Sequence, residues 1–176
     1  MTLTSPNVKI RRATISDAEP ISVFAARTFE QTFGAMNSPE DMRAYVARSF
    51  NVPQVAHELT AEGSTFFIAE SLASLVGYAR TAAGEAPVDV RGERPIELVR
   101  LYVAQPYQGA GVAARLMQEC IDDAKARGHG SMYLGVWEHN PRAQAFYHRR
   151  GFDKVGEERF ELGHDIQTDW IMERAL

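Results

Sequence analysis

A glycine-containing turn between a predicted strand and a predicted helix constrains this chain more than any other segment. Residues 96–103 are rich in β-branched and other apolar side chains, and residues 112–125 repeat apolar side chains at helical spacing. Gly109 and Gly111 lie between them. Glycines let a backbone approach an anion closely, and the free N–H groups of the following helix point at it. The turn predicts a site for a phosphorylated cofactor, although two glycines alone also fit a turn that binds nothing.

Two common phosphate-binding patterns fit this turn poorly. A Walker A loop is excluded because Val112 and Ala113 stand where Lys and Ser or Thr should follow the second glycine. Residues 109–114 do satisfy the dinucleotide pattern, but that fingerprint opens a domain, and only 73 residues follow the predicted strand here. Glu138, the nearest acid after the next strand, also lies beyond the usual spacing of about 20 residues. A dinucleotide such as NAD is therefore not the expected ligand.

Two separate motifs carry a resemblance to a known family. Gln108, Gly111 and Ala113 match the loop pattern Gln/Arg-x-x-Gly-x-Gly/Ala. Residues 134–152 contain a strand, the helix-opening Asn140, an aromatic pair and a closing Gly-Phe. In both motifs the chain resembles the GNAT superfamily of acyl-CoA-dependent N-acetyltransferases.

The resemblance extends from about residue 8 to about residue 174. Residues 28–34 and 37–42 are in addition similar to the bacterial spermidine/spermine acetyltransferase branch. The resemblance implies an α/β fold of the α+β kind: a central mixed, mostly antiparallel sheet of six to seven strands flanked by helices, with splayed strands holding acetyl-CoA. The length of 176 residues predicts a single domain, residues 1–176, that folds alone.

Capping residues and periodicity place the individual elements. Ser16 and Glu19 form the pattern of a capping box that opens a helix ending near Phe33, and Ser38 is the expected N-cap of the next helix. Cys120 falls on the apolar stripe of the helix after the glycine turn, which predicts a buried thiol and no disulfide. Strands are expected at residues 8–13, 65–70, 75–82, 96–103 and 131–137, followed by a helix at 141–150 and two closing strands.

Charge and composition exclude several kinds of partner. The net charge of −4 and the pI of about 5.7 argue against a nucleic-acid partner, which needs clustered positive charge. Apolar runs are too short for a membrane span, and no signal peptide is visible, so a cytoplasmic location is expected. The five histidines lack metal-ligand spacing, which predicts no metal. The sequence leaves the oligomeric state open, a homodimer included.

Acetyl transfer to an amine requires a neutral nucleophile. An alkylamine with a pKa of about 10.4 is uncharged in only about one molecule in 2,500 at pH 7, so a base that removes its proton accelerates the reaction. The resemblance implies that Glu97, on the strand before the turn, is this base. A solvent-facing Glu97 paired with Arg100 or Arg94 is the alternative.

The resemblance also assigns the cofactor site and the leaving group. Tyr147 matches the tyrosine that donates a proton or hydrogen bond to the CoA sulfur, one helical turn after Ala143. Backbone groups of the strand bind the pantetheine arm, and Asn140 caps the helix and contacts the same arm. The implied acetyl-CoA-binding residues are Leu101, Tyr102, Val103, Gln108, Gly109, Ala110, Gly111, Val112, Ala113, Ala114, Asn140 and Tyr147.

An acceptor site is expected under the early helices, where an aromatic lining would suit an alkylammonium chain. The candidate residues are Phe29, Phe33, Tyr45 and Trp137. The expected function is direct transfer of acetyl to a primary amine, a polyamine such as spermidine or spermine, or a similar small amine. A protein N-terminus, a lysine or an antibiotic amine is the alternative acceptor. A non-catalytic acyl-CoA-binding regulatory module is the alternative of a different class.

Overall fold

Seven strands form one mixed sheet in the computed structural model, which describes residues 7–176. The start of the predicted domain, where no signal peptide is expected, lies outside the described residues. The strands follow the order β1-β2-β3-β4-β5-β7-β6, and every neighbouring pair is antiparallel except β4 and β5. The predicted fold class is therefore confirmed. The strands are β1 (Lys9–Arg12), β2 (Ser64–Ser71), β3 (Ser74–Ala82), β4 (Pro95–Val103), β5 (Ser131–Trp137), β6 (Asp153–Leu162) and β7 (Asp165–Ala175).

Helices cover both faces of this sheet. Their bounds are α1 (Ala18–Phe33), α2 (Pro39–Ser49), α3 (Val52–Thr60), α4 (Val112–Ala126) and α5 (Pro141–His148). Helices α1 to α3 bury one face in a cluster that includes Phe29 and Tyr78. Helices α4 and α5 cover the other face, where Leu116 and Cys120 lie in the second cluster. Within residues 7–176, no helix is long and apolar enough to cross a membrane.

The beginning of α1 differs from the sequence prediction. The predicted capping box at Ser16 and Glu19 is wrong, because Asp17 is the N-cap residue and a short 3-10 turn precedes the helix. The reciprocal contact lies two residues earlier, where the Thr14 amide donates to Asp17 Oδ2 at 2.7 Å. Arg11 also bonds both oxygens of Asp17, and this pairing lowers the pKa of that carboxyl to about 2. The capping contact therefore belongs to the 3-10 turn, and the Arg11–Asp17 ion pair stabilises it.

Strands β4 and β5 separate along their length. They pair in parallel only where Pro95 to Glu97 face Ser131 to Tyr133. Beyond that point β5 continues its ladder with β7, while β4 remains paired with β3 on its other edge. The two strands therefore open a gap in the sheet, as the predicted splayed strands require.

A β-bulge reverses the alternation of side chains in the middle of β4. Arg80 of β3 faces Arg100, and the next residue Thr81 faces Leu98, so Val99 has no partner in β3. A bulged residue shifts the following side chains to the opposite faces. Glu97 and Arg100, three positions apart, therefore project to the same face of the sheet.

Candidate active site

One cleft of about 670 Å³ passes through the gap between β4 and β5. One end, called here the glycine end, is lined by Gln108, Gly109, Gly111, Ala113 and Ala114. The other end, called the aromatic end, lies under α1 and α2 and is lined by Phe29, Phe33, Tyr45 and Trp137. The splayed strands thus join the predicted phosphate turn to the predicted acceptor residues in one continuous space.

The backbone of the glycine end is shaped to receive an anion. Gly109 and Gly111 have φ angles of 81° and 83°, a left-handed conformation that favours glycine. A Cβ at either position would have no heavy atom within 4 Å, so the space above the turn is open. Gly111 is the N-cap of α4 and provides no side-chain cap, which leaves the N–H groups of the first turn available for a ligand. These features fit the phosphate groups of acetyl-CoA.

The other predicted cofactor residues divide into two groups. Leu101, Tyr102, Val103, Asn140 and Tyr147 line the cleft together with the residues of the glycine end. Ala110 and Val112 are not among its lining residues. The side chain of Val112 is in the core, so this residue could contribute only its backbone N–H.

Gln108 holds the turn against the preceding strand. Its side-chain amide Nε2 donates to the carbonyl oxygen of Val103 at 2.9 Å. The glutamine of the motif therefore fixes the position of the turn relative to the end of β4, in addition to lining the cleft. This contact gives the motif a structural role that the sequence alone did not show.

The helix α5 places Tyr147 in the cleft. Asn140 caps this helix by accepting a hydrogen bond from the Ala143 amide at 3.1 Å, which confirms the predicted cap. Ala143 and Tyr147 both line the cleft, as their spacing predicts. The half-buried Tyr147 ring contacts Phe146 and Phe152 edge-on. Burial raises the pKa of Tyr147 above its ordinary value, so its hydroxyl is protonated at neutral pH and can donate a hydrogen bond.

The four predicted acceptor residues form one connected aromatic wall. Phe29 stacks on Tyr45 with ring centroids 4.8 Å apart and lies 4.7 Å from Phe33. Phe33 in turn contacts Trp137 at 6.0 Å, which joins α1 to the end of β5. Phe160 of β6 extends the wall through a contact with Tyr45 at 5.5 Å. The wall therefore links the helices to the sheet around the aromatic end.

Glu97 lines the cleft, and its carboxylate has no hydrogen-bond or salt-bridge partner among the described residues. Burial raises its pKa above the ordinary value, Glu158 raises it further, and Arg80 and Arg100 act in the opposite direction. Both alternative partners are engaged elsewhere: Arg100 bonds Glu58, and Arg94 donates to a backbone oxygen of the loop after α4. A raised pKa in a cleft is typical of groups that exchange protons.

Two further carboxylates at the aromatic end were not expected from the sequence. Glu158 and Asp169 lie directly opposite each other on β6 and β7, and both line the cleft. Burial, followed by the charges of Glu158 and Glu138, raises the pKa of Asp169 to about 6. Its Oδ1 atom is buried without a hydrogen-bond partner among the described residues. The sequence shows several acids on each closing strand, and only the register of the two strands determines which of them meet.

Gly135 of β5 leaves space beside these two carboxylates. A Cβ at this position would lie 2.7 Å from Glu158 Oε1 and 3.4 Å from Asp169 Oδ2. The absent side chain therefore lets both acids approach the strand that borders the gap. Across residues 7–176, no cluster of three or more side chains is suited to hold a metal ion.

The fold and the cleft together define a protein class: an α/β domain with an open glycine turn at the N-terminus of α4, suited to a phosphorylated cofactor, and an acidic, aromatic pocket at the other end of the cleft. Residues 26–152 match the profile of the Acetyltransferase (GNAT) family, and the chain belongs to that family. It is accordingly an acyltransferase whose co-substrate is acetyl-CoA. The membership confirms the predicted superfamily and enzyme class.

Individual relatives agree with this assignment over nearly their full lengths. An uncharacterized N-acetyltransferase of Lactobacillus delbrueckii subsp. lactis is 30% identical over 169 residues, which cover 96% of this chain and 98% of the relative. An uncharacterized N-acetyltransferase of Mycobacterium bovis is 32% identical over 162 residues, covering 92% and 99%. The solved PaiA N-acetyltransferase of Thermoplasma acidophilum, in complex with coenzyme A, shares the fold with a TM-score of 0.78 at 21% identity, covering 97% and 99%.

Proposed function

We propose that this enzyme transfers the acetyl group of acetyl-CoA directly to a primary amine of a polyamine or a similar small amine. The observation that carries the proposal is the single cleft that joins the glycine end to an aromatic end containing carboxylates. The glycine end binds the phosphates of the co-substrate, and Asn140 with backbone groups of Leu101 and Val103 lines the path of its pantetheine arm. Acetyl-CoA, when bound, supplies an activated thioester.

Glu97 and Tyr147 carry the two proton steps of this proposal. The Glu97 carboxylate accepts the proton of the substrate ammonium, which leaves a neutral amine and a protonated carboxyl. The amine nitrogen then forms the bond to the acetyl carbon as the carbon–sulfur bond breaks. The Tyr147 hydroxyl donates its proton to the departing sulfur and regains a proton from the new amide nitrogen, so the products are a neutral amide and the CoA thiol. Both side chains line the cleft from opposite sides of the gap.

Val99 is the proposed donor to the acetyl carbonyl oxygen. The bulge leaves this residue without a partner in β3, and the β4–β5 ladder ends before it at Glu97. Val99 also lines the cleft. A fixed backbone N–H stabilises negative charge that develops on a nearby oxygen, and removing such a donor typically costs about 2.7–4 kcal/mol.

The chemistry of the aromatic end supports a cationic acceptor. Glu97, Glu158 and Asp169 place three carboxyl groups in the cleft, and none of them forms a salt bridge among the described residues. Aromatic faces such as that of Tyr45 attract ammonium groups. A linear amine with several positive charges complements both features, which favours a polyamine over a neutral or acidic acceptor.

The direct test is thiol release from acetyl-CoA by the purified protein with a panel of amines. The panel contains spermidine, spermine, diamines, aminoglycosides, and peptides with a free N-terminus or lysine. Turnover confined to the polyamines and diamines is the expected result. Turnover with peptides or aminoglycosides alone would support the alternative acceptors, whereas acetyl-CoA binding without thiol release would identify a regulatory module.

A further inference from the structure

A cluster of three charged side chains, a buried carboxylate and two partly buried guanidinium groups, lies beside the aromatic end of the cleft. Glu58 of α3 is only 5% exposed. Its carboxylate accepts two hydrogen bonds from Arg100, at 2.5 Å to Oε2 and 3.1 Å to Oε1. Arg80 Nη1 lies 3.1 Å from the same Oε1 atom. One carboxylate therefore neutralises part of the charge of two guanidinium groups.

The bulge in β4 brings these guanidinium groups to the face that carries Glu97. Arg80 and Arg100 are directly opposite each other across the β3–β4 ladder, an arrangement of like charges that destabilises a sheet unless an anion compensates. Arg100 lines the cleft and is fixed above the ring of Phe50, 5.0 Å from its centroid. Both cations are thus held in defined positions close to the reaction site.

Glu97 is the acid of β4 that shares this face with Arg80 and Arg100. It carries no hydrogen bond or salt bridge among the described residues, although both Arg80 and Arg100 act on it electrostatically. If Glu58 lost its charge, two partly buried guanidinium groups would remain without their anion. A buried charge that loses its partner strongly favours another counter-charge within reach.

We propose that Glu58 is a positioning residue for the acetyl transfer: it binds the guanidinium groups of Arg80 and Arg100 and thereby keeps the Glu97 carboxylate free for the substrate. The inference rests on the proposed role of Glu97 as the proton acceptor. It assigns the three-residue cluster to the chemistry of the cleft as well as to the attachment of α3.

Charged and titratable groups from four strands act on Glu97 or respond to it. Arg80 of β3 and Arg100 of β4 favour its ionised form, whereas Glu158 of β6 opposes it. Tyr133 of β5, paired with Glu97 in the ladder, has its pKa raised to about 12 by burial and by the charges of Glu97 and Glu158. The pKa of Glu97 therefore depends on how far Glu58 neutralises the positive charge of Arg80 and Arg100.

The test is an NMR titration of the Glu97 side-chain carboxyl carbon in the full-length protein without substrate. The resonance is assigned by its loss in the Glu97→Gln variant. In Glu58→Gln the midpoint of the titration is expected to fall by about one pH unit, because two uncompensated guanidinium groups stabilise the carboxylate. An unchanged or raised midpoint would overturn the inference. The titration needs no turnover, so its result is independent of whether the proposed acceptor is right.

Two further variants separate electrostatic positioning from a structural effect. The double variant Glu58→Gln, Arg80→Gln keeps the net charge of the cluster, so the Glu97 midpoint is expected to return toward the native value. Asp123→Asn is the matched control, because Asp123 also bonds two guanidinium groups, those of Arg12 and Arg127, but lies outside the cleft lining. A midpoint that stays low in the double variant, or falls equally in the control, would contradict positioning by Glu58.

A third variant covers the case in which Glu58→Gln does not fold. Arg80→Gln alone removes one guanidinium and leaves Arg100 bonded to Glu58, so the Glu97 midpoint is expected to rise. A midpoint that does not rise would contradict the inference. With an active enzyme, the acid limb of the kcat/KM profile is expected to move to lower pH in Glu58→Gln, whereas loss of structure alone would lower the rate at every pH.

Discussion

Glu97 and Arg100 show how one extra residue in a strand changes the chemistry of a site. Regular alternation would place these two side chains on opposite faces, because they are separated by an odd number of positions. The bulge at Val99 places both on the face beneath α1 to α3. An acid and a cation therefore share the cleft, and a third residue, Glu58, keeps them from pairing with each other.

Replacing Glu97 tests the proposed base. In Glu97→Gln, kcat/KM for the amine acceptor is expected to fall by about 10²-fold or more, because a neutral amide cannot accept the ammonium proton. Steady-state thiol release across pH measures the loss and the disappearance of the acid limb. Glu85→Gln, an exposed carboxyl in the loop before β4, is the matched control and should retain full activity. Native turnover in Glu97→Gln would remove the assignment.

Replacing Tyr147 tests the proposed donor to sulfur. Tyr147→Phe preserves the ring contacts with Phe146 and Phe152 but lacks the hydroxyl. We expect kcat to fall by about 10²-fold while the Kd for CoA stays within about twofold, since the ring fills the same space. Stopped-flow thiol release measures kcat, and calorimetric titration with CoA measures Kd. An unchanged kcat would assign Tyr147 to packing alone.

The raised pKa of Asp169 predicts how the free energy of unfolding changes with pH. Its pKa is about 6 in the folded protein against an ordinary 3.8, so the folded state retains a proton that the unfolded chain releases between these values. Ionised Asp169 therefore destabilises the fold above about pH 6, and stability decreases as pH rises through this window. Asp169→Asn should raise the free energy of unfolding by about 1–2 kcal/mol at pH 7.5, after allowance for solvent screening.

Urea denaturation at pH 7.5 and pH 3.5 checks the Asp169 prediction. The gain from Asp169→Asn should be present at the higher pH and mostly lost at the lower pH, where the carboxyl is largely protonated in both states. Asp165→Asn, an exposed acid at the start of β7, provides the comparison. An equal gain at both pH values would indicate an effect of packing instead of charge.

At the scale of elements, the turn before α4 depends on backbone conformation. Gly111 has a left-handed φ of 83° at the N-cap, and such a conformation costs other residues roughly 1–2 kcal/mol. Gly111→Ala is expected to lower the free energy of unfolding by about 1 kcal/mol and to weaken CoA binding, because relief of the strain turns the first N–H groups away from the ligand. Chemical denaturation and CoA titration measure both effects.

Gly84→Ala is the matched control for this element. A Cβ added at Gly84 would also have no heavy atom within 4 Å, but the φ angle of Gly84 is outside the left-handed region. The same added methyl group should therefore leave stability and CoA affinity close to native. Equal effects of the two alanines would contradict a conformational role for Gly111.

Whole-molecule behaviour follows from the way both clusters share the central strands. Tyr78 and Ala79, adjacent on β3, belong to the clusters on opposite faces of the sheet. We expect residues 7–176 to unfold as one cooperative unit, with far-UV circular dichroism and the fluorescence of Trp137 and Trp170 giving the same midpoint. CoA at 100 times its Kd should add about 2.7 kcal/mol. Separate transitions for the two probes would contradict the single domain.

Local features of the sequence predicted several parts of the site. The glycine turn, the Asn140 cap and the helical spacing of Ala143 and Tyr147 are present as expected. Each depends on residues only a few positions apart, so the chain's own geometry decides it. The exception was the start of α1, where a 3-10 turn with a capping contact between Thr14 and Asp17 precedes the helix.

The sequence by itself determined most of the elements and the glycine turn, because periodicity, caps and glycine conformation are short-range properties. Its two motifs carried the resemblance to the family. Tertiary structure alone decided the environment of the acceptor. The pairing of Glu158 with Asp169 depends on the register of two strands, and the bond between Glu58 and Arg100 joins residues 42 positions apart. Charges that act through space depend on distance and burial, which only the folded chain fixes.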